Sequence, residues 1–314
     1  MAAILEIVLP VFSLILLGWS AARFQYLSPG AGHVLAQFAF KVAMPALLFR
    51  TTLNLAPWNA DPVLLAVAYF GAMLVIWTIA SLATRFVLGR PAEDTAAIAM
   101  GVCFGNTVML GIPVALTAFG EAAAVPVALI ITIDSPLLWL LATLQMELFR
   151  RREGGLRLDT IAGVARDVVF NPIVLPLILG TVGRQFGLAL PPIADKLLAL
   201  LAQAAVPTAL VALGTTLVSF EIKGQRPTIG LILVLKLLAF PGLVVLATTA
   251  LQLPPVWIAV ATLLAAMPVG ANAFLFASRY ERGVGSVSAA VAVSTGLAVL
   301  SVSVVLFLLR GGAG

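Results

Sequence analysis

The sequence predicts an all-α integral membrane protein of ten transmembrane helices, built as two inverted five-helix repeats whose fourth helices are broken and cross. Three observations carry that prediction. First, 62% of the 314 residues are hydrophobic and only 10% are charged, against roughly 25% charged in a soluble domain. Second, the apolar residues fall into runs long enough to cross a bilayer. Third, two of those runs are interrupted, by Gly105-Asn106-Thr107-Val108-Met109-Leu110-Gly111-Ile112-Pro113 and by Ala265-Ala266-Met267-Pro268-Val269-Gly270-Ala271-Asn272-Ala273-Phe274. Glycine, asparagine and proline at membrane depth free backbone groups that hydrocarbon cannot satisfy. Such a break survives only where it lines a protein cavity.

Crossing the hydrocarbon takes about 20 predominantly apolar residues, and each span can be placed in turn. The first, 4–22, begins near Glu6 and closes on Arg23; it is too long, and too poorly followed by a small-residue cleavage site, for a removable signal peptide. The second, 33–50, opens at His33 after Ser28-Pro29-Gly30-Ala31-Gly32 and contains Lys41 and Pro45. The third, 62–84, ends before Arg85 and Arg90. The fourth, 95–119, holds the first break, and the fifth, 124–148, runs through Ile133-Asp134-Ser135-Pro136 to Arg150. After a basic connection, spans 167–186, 196–219 (with Pro207), 228–250 (with Lys236), 256–279 (with the second break) and 285–309 complete the set. The expected organisation is a first repeat at 1–149, a connecting loop at 150–166 and a second repeat at 167–314.

Cytoplasmic loops of membrane proteins carry the excess of lysine and arginine. Arg23, Arg85, Arg90, Arg150, Arg151, Arg152, Arg157, Arg166, Lys223, Arg226, Arg279 and Arg282 fall on one side of the ten spans, and only Arg50, Arg184, Lys196 and Arg310 on the other. Both termini are therefore expected outside a cell membrane, with the 150–166 loop cytoplasmic. The pI near 9.9 then reflects topology, and no nucleic-acid partner is expected. At an offset of about 161 residues the chain resembles itself: Glu6 matches Asp167, Arg23 matches Arg184, Pro45 nearly matches Pro207, and Phe119-Gly120-Glu121 matches Tyr280-Glu281-Arg282. Five spans per half force the second half to enter from the opposite face, the inverted arrangement of many secondary transporters.

A crossing of two broken helices has a definite chemical use. Half-helix ends expose unpaired backbone groups, positive at N-termini and negative at C-termini. The N-termini favour an anion such as a carboxylate. Asn106 and Asn272 add neutral donors without the desolvation cost of a buried arginine. Gly105, Thr107, Gly111, Pro113, Pro268 and Gly270 complete the expected substrate-binding set, while the alternative is that Pro113 and Pro268 merely kink two packed helices.

Asn106-Thr107-x-x-x-Gly111-Ile112-Pro113 resembles the fourth-helix signature of the auxin efflux carrier superfamily. Pro268-x-Gly270 followed by Phe274-x-Phe276-Ala277-x-x-Tyr280 resembles its ninth helix. The resemblance covers the whole chain. Where plant members carry a second proline this chain has Ala273, and its central loop is short, so it is the bacterial permease type that is matched. The resemblance implies a sodium/proton-antiporter-like or bile-acid-symporter-like fold, a mobile transport domain (spans 3–5 and 8–10) and a scaffold (spans 1, 2, 6 and 7) that forms a homodimer. It further implies a malate-, malonate- or auxin-like carboxylate substrate, with Asn106 as its leading contact.

Ionisable residues inside spans are expensive and point to function. Asp134 is expected either to accept a proton or help hold sodium, with Ser135 and carbonyls freed by Pro136, or to form a buried ion pair with Lys41 or Lys236. A lysine so paired would replace a coupling cation. Pro45 and Pro207 are expected to shape helices beside the site, Glu6, Asp167 and His33 to sit at helix starts, and Arg150-Arg151-Arg152 to anchor on anionic headgroups. Cys103 stands alone, so no intramolecular disulfide forms.

No cofactor or resident metal is expected, and an enzyme is disfavoured. The chain has no Gly-x-Ser-x-Gly elbow, no His-Glu-x-x-His zinc site, no phosphate loop and a single histidine. The expected function is alternating-access transport of small organic anions. A passive anion channel is the alternative, since half-helices also line pores.

Overall fold

The computed structural model describes residues 2–28, 30–54, 61–150, 174–218 and 224–311. These form helices joined by short turns, with one isolated backbone bridge and no strand among the described residues. In chain order they are α1 (Ala2–Arg23), α2 (Ala31–Leu53), α3 (Pro62–Val87), α4 (Ala92–Cys103), α5 (Ile112–Phe119), α6 (Ala124–Arg150), α7 (Val174–Gln185), α8 (Pro192–Leu217), α9 (Arg226–Ala250), α10 (Pro255–Ala265), α11 (Ala271–Tyr280) and α12 (Val284–Gly311). Helical stretches at Ala31–Leu53, Pro62–Val87, Thr107–Met146, Pro192–Leu217, Arg226–Ala250 and Val284–Leu308 are long and apolar enough to cross a membrane. The chain is a multi-pass integral membrane protein. Two of the expected spans, 95–119 and 256–279, are each two helices, α4 with α5 and α10 with α11. The 151–166 part of the basic connection, Asp167 and the side chain of Glu6 lie outside the described residues.

Prolines set much of the local structure. α3, α8, α9 and α10 each have proline in the first turn, where the missing N–H would be unpaired anyway and the ring presets φ. Inside helices proline acts differently. π turns occupy Ala39–Ala43, Ala83–Val87, Thr107–Gly111 and Leu235–Ala239, and in all but the second a proline, Pro45, Pro113 or Pro241, stands two residues beyond. A proline ring cannot accept the tight i−4 approach of an α-helix, and a locally widened turn accommodates it. Pro207 by contrast sits, exposed, within the continuous α8.

Packing gathers the helices into two groups. α1 and α2 lie against α8, and α2 also against α7. Small residues let these backbones touch, as membrane helices require when no hydrophobic force drives them together. A Cβ on Gly18 of α1 would lie 2.1 Å from the Val211 carbonyl oxygen, one on Gly214 of α8 2.0 Å from that of Ile15, and one on Gly180 of α7 2.1 Å from the Thr52 hydroxyl. The second group packs α3, α4 and α6 together with α9 to α12. Partly buried side-chain bonds tie it internally: Gln145 of α6 accepts from the Trp77 indole at 2.6 Å and donates to Ser81 and Thr95. At one end Arg90 joins Asp94 at 2.7 Å and Gln225 at 2.6 Å, bracing α4 against the start of α9.

Gly214→Leu is expected to force α1 off α8 and to cost about 1–3 kcal/mol, the usual penalty of overpacking, read as a fall in the thermal unfolding temperature of the detergent-solubilised protein. Gly230→Ala in α9, where a Cβ meets nothing within 4 Å, serves as the control and leaves that temperature unchanged or slightly raised.

Candidate functional site

Each break leaves a run of backbone without a helical ladder, and buried N–H and C=O groups must find partners. The two breaks find each other. Gly105 and Val269 form an antiparallel bridge, the Asn106 amide donates to the Pro268 carbonyl at 2.7 Å, and the Gly270 amide donates to the Phe104 carbonyl at 2.9 Å. The Val269 amide is satisfied from a third direction by the Ser294 hydroxyl of α12 at 3.0 Å. Glycine is required where the two backbones touch, because a Cβ on Gly270 would fall 2.7 Å from the Gly105 carbonyl oxygen and 2.8 Å from the Phe104 ring.

This pairing fixes the polarity of the centre. α4 ends at Cys103 and α10 at Ala265, so two C-termini arrive at the crossing; the helices leaving it begin at Thr107 and Ala271, so two N-termini leave. Lys236 of α9 serves the first pair. It is 0% exposed, and its ammonium donates to the Cys103 carbonyl at 3.2 Å and lies 4.9 Å from the Phe240 ring centre. A cation favours a helix C-terminus for the reason an anion favours the opposite end.

The second pair opens on a cavity of about 330 Å³, within the size range of small-molecule sites. Its polar lining is Gly105, Asn106, Thr107, Asp134, Ser135, Gly270 and Asn272, and its walls are Phe40, Phe104, Val108, Met109 and Ile131. Asn106 is buried, Asn272 half-buried, and neither side-chain amide bonds another described residue. Asp134 is 2% exposed, and its Oδ1 is fully buried with no hydrogen-bond partner. The cavity therefore offers free backbone and side-chain donors from two half-helix starts, faced by one carboxylate. Among the described residues no lysine or arginine lines it.

Of the residues singled out in the sequence, Gly105, Asn106, Thr107, Gly270, Asn272 and Asp134 come together at the cavity. Pro268 contributes the carbonyl that holds Asn106. Gly111 and Pro113 are buried behind the wall, Gly111 so tightly that a Cβ would lie 2.8 Å from the Leu264 side chain. Lys236 lies beneath the crossing, whereas Lys41 is exposed on α2. Pro45 and Pro207 stand away from the cavity lining. His33 accepts or donates to Gln37 at 2.7 Å on an exposed surface, and Cys103 is buried. Phe40 was not visible in the sequence as a site residue. It comes from α2 across the boundary between the two helix groups, and only the tertiary packing shows it.

The chain is also similar in sequence to known proteins. A family model described as "Membrane transport protein" matches residues 3–306. The chain is 31% identical over 320 residues to "Putative malonate transporter" of Rhizobium meliloti (strain 1021), an alignment covering 100% of this chain and 98% of that protein.

Gly270→Ala is expected to separate the two breaks, since the new methyl meets backbone rather than a flexible side-chain tip. The expected result is a loss of about 1–3 kcal/mol of stability, seen as a lower unfolding temperature, with faster hydrogen exchange at the Asn106 amide. An unchanged exchange rate there would show that the pairing does not depend on the glycine.

Proposed function

The chain belongs to the membrane transport protein family, the auxin efflux carrier family that its motifs resemble, and from that premise we propose that it is a secondary carrier of small organic anions. Malonate is the first substrate to test, by the name of the relative above. The observation that carries the proposal is the convergence of two half-helix N-termini and two unpaired asparagine amides on one cavity. Oriented backbone dipoles and neutral amides bind a carboxylate without burying a compensating cation.

In this reading the chain crosses the membrane ten times as two inverted five-helix repeats, with α4–α5 and α10–α11 as the broken spans and both termini outside. The positive φ values of Gly120 and Glu281, each closing the outgoing half-helix of its break and 161 positions apart, support it. Transport proceeds by alternating access. α3 to α6 and α9 to α12 move as one body against a scaffold of α1, α2, α7 and α8, through which two copies pair. The glycine-lined contacts inside the scaffold and the Gln145 network inside the moving group support that division, since each holds its own group together. Phe40, a scaffold side chain on the cavity wall, is then one of the contacts that change as the site is exposed to either side.

The test is malonate counterflow in proteoliposomes. Asn106→Ala is expected to weaken malonate binding about 10- to 100-fold, the range for a hydrogen bond to a charged group, and to abolish counterflow while expression and unfolding temperature stay unchanged. Unaltered malonate affinity in that variant contradicts the assigned role, and ion conductance at rates far above carrier turnover would make the protein a channel instead.

A further inference from the structure

We propose that Asp134 is the resting anion of the cavity, and that a substrate carboxylate binds by taking its place beside the half-helix N-termini while Asp134 takes up one proton. The inference rests on the reading that this cavity holds a small carboxylate. It concerns what the protein must do with charge when that happens.

The geometry separates two charge centres. A helix terminus carries about half a unit charge, so the two C-termini arriving at the crossing bring about one negative charge and the two N-termini leaving it about one positive. Lys236 sits on the first centre, bound to the Cys103 carbonyl. Asp134 sits on the second, lining the same cavity as Thr107, Val108, Ala271 and Asn272. With the site empty, each centre is answered by one side chain.

Among the described residues none donates a hydrogen bond to Asp134 Oδ1, and the nearby cation, Lys236, acts on the carboxylate only through space. The charged or titratable groups that face it are Lys236 of α9, Tyr69 of α3 and Cys103 of α4. Lys236 directs its hydrogen bond to Cys103 rather than to the carboxylate, and Tyr69 is packed between Phe70 and Phe240. From α2 the cavity receives Phe40, while α5 and α10 carry no titratable side chain. Oδ1 of Asp134 has no donor at all.

An arriving carboxylate puts a second negative charge into this small, largely apolar space. Two carboxylates sharing one site do not both stay ionised. The substrate gains the free amides of Asn106, Asn272 and the half-helix starts, whereas Asp134 has no donor to lose, so the proton settles on Asp134. The step balances as substrate carboxylate plus one proton plus ionised Asp134 giving bound carboxylate plus protonated Asp134. One O–H bond forms and no other bond changes. Anion and proton therefore occupy the moving group together, and their coupling is reciprocal.

The experiment uses the full-length, detergent-purified protein with malonate as probe, titrated calorimetrically above pH 7 in buffers of different ionisation enthalpy to count protons. The wild type is expected to take up about one proton per malonate, with affinity falling about tenfold per pH unit. Asp134→Asn is expected to bind malonate at least as tightly, with no proton uptake and no dependence on pH. Asp134→Glu keeps the uptake and supplies the comparison if the asparagine variant does not fold. Malonate binding by the wild type without proton uptake, or the same uptake in Asp134→Asn, overturns the proposal and leaves the carrier reading standing. A wild type that binds no malonate at any pH overturns both.

Discussion

Two backbone hydrogen bonds, Asn106 N–H to the Pro268 carbonyl and Gly270 N–H to the Phe104 carbonyl, are the constraint on which the site depends. A helix broken inside a membrane leaves groups that lipid cannot satisfy. Here each break supplies what the other lacks, so neither could exist alone. The requirement extends outward. Close approach needs glycine at 270, the third partner is Ser294 on α12, and the wall behind the pairing is packed so closely that a methyl group on Gly111 would push the Leu264 side chain aside. The centre is rigid because its polar groups are already spoken for, and the cavity is polar because a few of them are not.

That division between satisfied and unsatisfied groups organises the electrostatics. The C-terminal half-end at Cys103 is closed off by Lys236, a fully buried ammonium held by a carbonyl and an aromatic face. The N-terminal half-ends face open space together with Asp134. A buried charge is tolerable only where something compensates it, and the helix ends supply that compensation with fixed partial charges. An anion entering the cavity therefore competes for an existing balance. The same carboxylate that keeps the empty site neutral makes occupancy sensitive to protons.

Much of this was legible in the sequence, because the residues that break helices are few and act by known mechanisms. Pro113, Pro268, Gly105 and Gly270 marked the breaks, and the self-similarity around Gly120 and Glu281 suggested that they belong together. Other features left no signal. Lys41 and Lys236 look alike in sequence, each in an apolar span shortly before a proline and each in a π turn, yet one is exposed and the other fully buried. Rotation of the helix decides between them, and rotation follows from packing. The sequence also raised a carboxylate as partner for Lys236. The structure gives its hydrogen bond to a backbone carbonyl, which no pattern of side chains can single out, and leaves Asp134 acting on it only through space. Phe40 was hidden for a similar reason, being brought to the cavity by the contact between two helix groups.

The central claim is that a carboxylate sits at the paired breaks. Solid-state NMR on proteoliposomes tests it directly, using malonate labelled with carbon-13 at the carboxyl groups and protein labelled with nitrogen-15 at asparagine. Dipolar dephasing of the carboxyl signal by asparagine nitrogen, lost in Asn106→Ala, is the predicted result. Bound malonate whose carboxyl signal shows no dephasing in the wild type would place the substrate elsewhere and contradict the account.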